Sequence, residues 1–226
     1  MKITESINAT LGILQKEVLS EFRTRYALNA LLMFVVTTLS VILFSIGSEN
    51  VSQEILCGIL WIIIFFSSMS GLSRTFVSEE ERGTVMTLHL IANPLSVYFG
   101  KLLYNLLLLT FLNIFTLILY LLMIPGFVIN NYSIFVITII LGTFGLASAS
   151  TIIAAIVAKA NTKGTLFPVL AFPILLPLLM TLINATKLAV QGAILNEAFG
   201  EFRVLLSYSI VIIVISYLLF DFIWKD

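Results

Sequence analysis

Residues 102–124 read LLYNLLLLTFLNIFTLILYLLMI and decide the class of fold, because the run contains no charged residue. A helix needs about 20 predominantly apolar residues to cross the hydrocarbon core of a bilayer. The run is continuously apolar, whereas a strand of a membrane barrel would alternate over about ten residues. We therefore expect residues 102–124 to form a transmembrane helix.

Five further stretches have the same character, which predicts six transmembrane helices in all. They cover residues 28–47, 55–73, 132–158, 166–186 and 205–223. We number the six windows in chain order as spans 1–6, so residues 102–124 are span 3. The pattern predicts an all-α integral membrane protein with a single transmembrane domain over residues 1–226.

The composition supports lipid as the solvent of this chain. Of its 226 residues, 60% are hydrophobic and 11% are charged, and the mean hydropathy is +1.11. Soluble domains carry about 25% charged residues. The net charge is zero, so we expect no general attraction to nucleic acid. The single cysteine, Cys57, is interpreted as a packing residue, and no Cys/His cluster predicts a metal site.

Basic residues predict the orientation, because connectors on the cytoplasmic side are enriched in Lys and Arg. Ten of the twelve fall on one side of the six-span pattern: Lys2, Lys16, Arg23, Arg25, Arg74, Arg82, Lys101, Lys159, Lys163 and Lys225. Only Lys187 and Arg203 fall on the other side. Both termini are therefore expected in the cytoplasm.

The first 26 residues predict an amphipathic helix that lies in the membrane interface. Apolar residues recur at helical spacing along one face: Ile3, Ile7, Leu11, Leu14, Val18 and Phe22. Charged residues populate the rest of the helix, which is typical of helices parallel to the bilayer surface. The alternative is a soluble leader segment that docks on nothing in particular.

The connector between spans 2 and 3 predicts a short cytoplasmic helix over residues 78–93. Ser78 followed by Glu81 has the spacing of a capping box, and a helix dipole favours acidic residues in the first turn. Pro94 prevents the helix from continuing beyond Asn93. The alternative is that residues 79–82 form only a well-capped, solvated turn.

The sequence contains no recognisable set of catalytic residues. The chain has one histidine, His89, interpreted as an interface or packing residue, and it has no P-loop, since Gly100-Lys101 is followed by Leu102. No ionisable residue lies well inside a span, and Asp221 lies near the cytoplasmic end of span 6. We therefore expect a non-catalytic protein whose energy comes from a partner.

Small residues and prolines predict how the spans pack. Ser67 and Gly71 on span 2, and Gly145 and Ala149 on span 4, have the spacing that lets helix backbones approach closely. Span 5 carries three prolines that either are tolerated kinks or make the helix pliable near a moving interface: Pro168, Pro173 and Pro177. The external connector 187–204 is expected to form a short re-entrant or surface helix pair.

The connector sequence resembles that of ABC-2 type exporter permeases. Glu79-Glu80-Glu81-Arg82-Gly83-Thr84, Pro94-Leu95-Ser96 and Gly100-Lys101 follow that pattern. Two further segments, Gly58–Leu72 and Phe167–Leu179, make the chain similar to the haem exporter protein B (CcmB) family in particular.

The resemblance implies a permease subunit of an ABC transporter that acts in cytochrome c maturation in the bacterial inner membrane. Its function would be haem export or the ATP-driven release of a haem-loaded chaperone. The implied ATPase-coupling helix contains Ser78, Glu79, Glu80, Glu81, Arg82, Gly83, Thr84, Val85 and Leu88. The alternatives are a generic exporter of a drug, lipid or polysaccharide, and a membrane scaffold that transports nothing.

The resemblance also implies the partners. A homodimer of this chain would pair with a CcmA-like ATP-binding cassette subunit and associate with CcmC-like, CcmD-like and CcmE-like proteins. ATP would bind the cassette subunit and haem would be handled by the other proteins. No cofactor is expected on this chain itself.

Overall fold

The computed structural model describes residues 2–47, 49, 51–124, 126–160 and 163–225. In these ranges the chain is built from α-helices joined by short turns. The predictions that concern the side chains of Lys2, Ile3, Lys163 and Lys225 lie outside the described part of the chain.

The helices are numbered in chain order. They are α1 (Lys2–Thr24), α2 (Tyr26–Ile46), α3 (Gln53–Leu72), α4 (Arg74–Arg82), α5 (Val85–Ile91), α6 (Pro94–Met123), α7 (Tyr132–Ala158), α8 (Lys163–Gln191) and α9 (Phe199–Lys225).

Six helical segments are long and apolar enough to cross a membrane, which confirms the predicted class of fold. They are Leu28–Ile46, Gln53–Arg82, Pro94–Met123, Tyr132–Ala158, Leu166–Gln191 and Phe199–Trp224. The third begins at Pro94 and not at residue 102. Proline suits the first turn of a helix, where its missing N–H would have no partner.

Helix α7 is the centre of the packing and contacts α3, α4, α6, α8 and α9. Small side chains make this possible, since Gly145 and Ala149 let neighbouring helices approach closely. A Cβ atom on Gly145 would lie 2.8 Å from Cδ1 of Leu178 on α8. Ala149 is fully buried.

Contacts between connectors show which ends of the spans lie together. At one end Lys159, after α7, lies 3.9 Å from Glu80 of α4. At the opposite end Nδ2 of Asn131 donates to the carbonyl oxygen of Ala193 at 2.9 Å, and Lys187 lies 3.8 Å from Glu54. The connectors therefore alternate between the two ends, as in an up-and-down arrangement of six spans.

Helix α8 remains helical through its three prolines, Pro168, Pro173 and Pro177. All three prolines are exposed on the outer side of the bundle. Their rings therefore take no part in the packing of the core. That α8 is a pliable helix stays a prediction. The predicted external helix pair is wrong: α8 extends to Gln191, and residues 192–198 form turns before α9.

Candidate functional site

The predicted single helix over residues 78–93 is wrong, because the connector forms two helices. Helix α4 begins after Ser73, so Ser78 lies inside a helix and does not cap one. Gly83 ends α4 in the left-handed conformation, with φ 67°, which is the usual role of glycine after a helix. The N–H group of Thr84 then donates to the carbonyl oxygen of Glu79 at 3.0 Å, and α5 follows.

The acidic residues therefore lie in the last turns of α4 and not in a first turn, and they point in different directions. Glu79 is 5% exposed and faces the protein interior. Glu80 faces Lys159 of α7, while Glu81 and Arg82 are exposed. The acidic run is thus not a single surface feature, as a capped helix head would have been.

Lys101 of α6 is the centre of a buried charge cluster. Its Nζ atom lies 2.7 Å from Oε1 of Glu17 on α1 and 3.4 Å from Oε1 of Glu79 on α4. It also donates to the carbonyl oxygen of Thr75 at 2.7 Å. Glu79 in turn accepts hydrogen bonds from Lys16 and from the hydroxyl of Thr84. We call Lys16, Glu17, Glu79 and Lys101 the charge cluster.

The charge cluster places a buried charge near the start of the third span, in the second turn of α6. Lys101 is fully buried, and a buried charge is tolerated only where opposite charges and hydrogen bonds compensate its lost hydration. Two positive and two negative groups meet here, so the cluster is neutral. Sequence alone could not reveal it, because its members are up to 85 positions apart (Lys16 to Lys101) and come from three helices.

Helix α5 presents an apolar surface away from the bundle. Met86, Leu90 and Ile91 are 77%, 88% and 75% exposed. On the opposite side Leu88 is buried in the core. Such a short helix with three large exposed apolar side chains is typical of a docking element.

An aromatic contact fixes α5 to the end of α9. The rings of His89 and Trp224 are stacked, with centroids 4.5 Å apart and 19° between their planes. Trp224 also stacks on Phe220 at 5.6 Å. This agrees with the interpretation of His89 as a packing residue.

Helix α1 packs on the first turns of α6 through the face that carries Ser6 and Ile13. The hydroxyls of Ser6 and Ser96 lie 2.9 Å apart, and Ile13 is buried. The apolar face predicted to lie in the membrane interface points away from α6: Ile7, Leu11 and Phe22 are 53%, 50% and 67% exposed. An outward apolar face is what contact with lipid requires.

The remaining predicted residues lie either within the spans or at the junction between α4 and α5. Ser67 is buried and its hydroxyl donates to the carbonyl oxygen of Ile63 within the same helix. Gly71 lies against Leu31 of α2, with a hypothetical Cβ atom 2.9 Å from Cδ1 of that residue. Thr84 and Val85 are half-buried at the junction between α4 and α5.

Comparison with known proteins gives one family. No curated protein matches the chain significantly. The CcmB protein family matches residues 8–221, which cover five membrane-spanning segments in full and all but the last three residues of the sixth. Members of this family are non-catalytic membrane permease subunits of the haem export system. Because the match extends over nearly the whole length of the chain, the chain belongs to the CcmB family.

Proposed function

We propose that this chain is the permease subunit of an ABC complex that acts in cytochrome c maturation, and that the ATP-binding subunit docks on α5. The exposed apolar surface of Met86, Leu90 and Ile91 carries this proposal. Burial of large apolar side chains is the main source of affinity at the centre of an interface. The proposed docking surface is thus apolar, whereas the coupling helix implied by the resemblance combines acidic residues with Val85 and Leu88.

The distribution of basic residues supports a cytoplasmic position for α5. The basic residues Arg82 and Lys159 are at the same end of the bundle as α5, and Lys159 lies near Glu80. Cytoplasmic ends carry the excess of Lys and Arg. Both termini and α5 would then face the cytoplasm of a bacterium, where ATP is available to a partner subunit.

Movement of α5 would reach the spans through three contacts. Gly83 joins α5 directly to α4, the stack of His89 on Trp224 joins it to α9, and Glu80 joins α4 to Lys159 at the end of α7. These contacts favour transmission to spans 2, 4 and 6.

The release of a haem-loaded chaperone is favoured over the transport of haem by this chain. Haem carriers use axial ligands such as His, Met, Cys or Tyr. The only histidine, His89, is engaged in the stack with Trp224, so a haem ligand on this chain would have to be Met, Cys or Tyr. In this proposal CcmC-like and CcmD-like membrane proteins hold haem and the CcmE-like chaperone. The complex would contain two copies of this chain and two CcmA-like subunits.

The test is to replace Met86 and Leu90 by Asp and to purify the complex in mild detergent. We expect the ATP-binding subunit to be lost from the double variant while the chain itself still enters the membrane. Ile194→Asp is the matched control, because Ile194 is 68% exposed at the opposite end. Retention of the ATP-binding subunit by the double variant would show that α5 is not its docking surface.

The same purification separates the alternative functions. Proteins of cytochrome maturation should accompany the wild-type chain, and strains that lack the chain should lose cytochrome c. A generic exporter would bring an ATPase without those proteins. A passive scaffold would support maturation even with an ATPase-inactive partner.

A further inference from the structure

A charged cavity lies between α1, α4 and α6 at the end of the bundle that carries α5. Its volume is about 300 Å³. Three basic side chains line it, namely Lys16, Arg74 and Arg82, and so do four acidic ones, namely Glu17, Glu21, Glu79 and Glu81. Two uncharged lining residues, Gly71 and Leu108, belong to membrane-spanning segments.

Part of this charge is already neutralised inside the protein. Lys16, Glu17 and Glu79 belong to the charge cluster around Lys101. The side chains that remain include two arginines. Among the described residues Arg74 has no hydrogen-bond or ion-pair partner, and Arg82 has only a 3.4 Å contact from Nη1 to the hydroxyl of Ser20.

Two carboxylates face the same cavity as these arginines. Glu81 is exposed, and Glu21 accepts hydrogen bonds from the N–H group of Leu28 at 2.8 Å and from the hydroxyl of Tyr104 at 3.5 Å. Among the described residues, two guanidinium groups and two carboxylates of the cavity are therefore without an ion-pair partner. A simple anion would be attracted by the first pair and repelled by the second, whereas a ligand with both charges satisfies both pairs.

The position of the cavity, next to apolar surface, favours a lipid as its ligand. Leu19 and Phe22 of α1, which flank Ser20 and Glu21 in the chain, are 59% and 67% exposed, so apolar surface adjoins the charged lining. Arginine is well suited to phosphate, because its planar group donates two parallel hydrogen bonds. We propose that this cavity binds the headgroup of a phospholipid with a primary amine, phosphatidylethanolamine, whose phosphate contacts Arg74 and Arg82 and whose ammonium contacts Glu21 and Glu81.

The chemistry of the headgroup distinguishes phosphatidylethanolamine from other phospholipids. An ammonium group donates hydrogen bonds to carboxylates, and the quaternary amine of phosphatidylcholine has no N–H to donate. Phosphatidylglycerol supplies the phosphate but leaves the carboxylates without a cation. Phosphatidylethanolamine is thus expected to bind more tightly than either.

The experiment is native mass spectrometry of the full-length chain in mild detergent with each of the three lipids and, separately, with inorganic phosphate. We expect adducts chiefly with phosphatidylethanolamine. Arg74→Gln should weaken them about tenfold, the usual scale of one charged hydrogen bond. Arg74→Lys should keep part of the binding. Arg23→Gln is the matched control, because Arg23 is exposed on α1 outside the cavity.

The outcomes separate the possible ligands. Equal adducts with all three lipids, or equal losses in the Arg74→Gln and Arg23→Gln variants, would overturn the proposal in favour of unspecific attraction to the membrane. If the wild-type chain binds inorganic phosphate but none of the three lipids, the proposal is overturned in favour of an anion site. The thermal stability of each variant, measured in the same detergent, excludes misfolding as the cause of a loss.

Discussion

The Nζ atom of Lys101 lies 2.7 Å from Oε1 of Glu17, and this ion pair fixes the start of α6 to α1. Lys101 is fully inaccessible to solvent and Glu17 nearly so, with 12% of its side chain exposed. Because neither group keeps its full hydration, each depends on the other and on Glu79. Helix α4, which leads into α5, is therefore joined to α1 and α6 by charges inside the protein.

Replacing Lys101 by Met should destabilise the protein strongly. The change leaves Glu17 and Glu79 buried without their common cation, and the loss of one partner from a buried pair costs about 3–5 kcal/mol. We expect a large fall in thermal stability in detergent, measured by the loss of the monodisperse peak after heating. The control is Lys159→Met, since Lys159 is 30% exposed and 3.9 Å from Glu80. A surface pair of that kind contributes about 1 kcal/mol or less.

A double variant distinguishes the ion pair from simple packing. If Lys101 acts through charge, Glu17→Gln combined with Lys101→Met should be less damaging than the sum of the single changes. Additive losses would mean that the aliphatic part of Lys101 matters and the ion pair does not.

Replacing Gly100 by Ala should separate α1 from α6. A Cβ atom at this position would lie 2.8 Å from Cβ and Cγ2 of Ile13 and 3.0 Å from the carbonyl oxygen of Thr10. Backbone and β-branched atoms have little freedom to move, so we expect a loss of about 1–3 kcal/mol. Proteolysis of α1 in the folded protein, followed over time, measures the separation.

Gly58→Ala is the control for the same substitution. No atom lies within 4 Å of a Cβ atom there, and alanine favours a helix over glycine by about 1 kcal/mol. We therefore expect Gly58→Ala to be neutral or stabilising. Equal behaviour of the two variants would contradict the close approach of α1 and α6.

Gly142 should tolerate alanine less well than Gly145 does, although both lie on α7. The Cβ atom of Gly142→Ala would meet the ring of Trp61 at 2.5 Å, and that ring is held by a hydrogen bond from Nε1 to the hydroxyl of Thr186 at 2.7 Å. At Gly145 the nearest atoms are the flexible end of Leu178. Thermal unfolding followed by tryptophan fluorescence compares the variants, and a greater loss at Gly145 would refute the argument.

Gly83 should accept asparagine better than alanine. Its φ of 67° lies in the left-handed region, where a residue with a Cβ atom loses about 1–2 kcal/mol and asparagine loses less. No atom lies within 4 Å of a Cβ atom, so the cost is conformational and not steric. Binding of the ATP-binding subunit to Gly83→Ala and Gly83→Asn is the measurement. An alanine variant that binds as well as wild type and melts higher would disprove this role.

The connector after span 2 explains why local rules mispredicted the start of the helix. Ser78 and Glu81 have the spacing of a capping box, and a cap contributes about 1 kcal/mol. The buried amine of Lys101 requires a second carboxylate, and leaving it without one costs several times as much. Helix α4 therefore continues from Arg74 through Ser78, and Glu79 turns inward to the charge cluster.

Hydropathy and helical spacing are local properties of the chain, so the six membrane-spanning helices and the apolar face of α1 could be predicted from the sequence, and the connector motifs indicated the family. The roles of the polar residues in the connectors depend on how the helices pack and could not be predicted in this way. Lys16, Glu17, Glu79 and Lys101 meet because α1, α4 and α6 pack together at one end of the bundle. A buried charge needs an opposite charge close to it in the folded protein, even when the two residues are far apart in sequence. Local sequence patterns do not show such pairs.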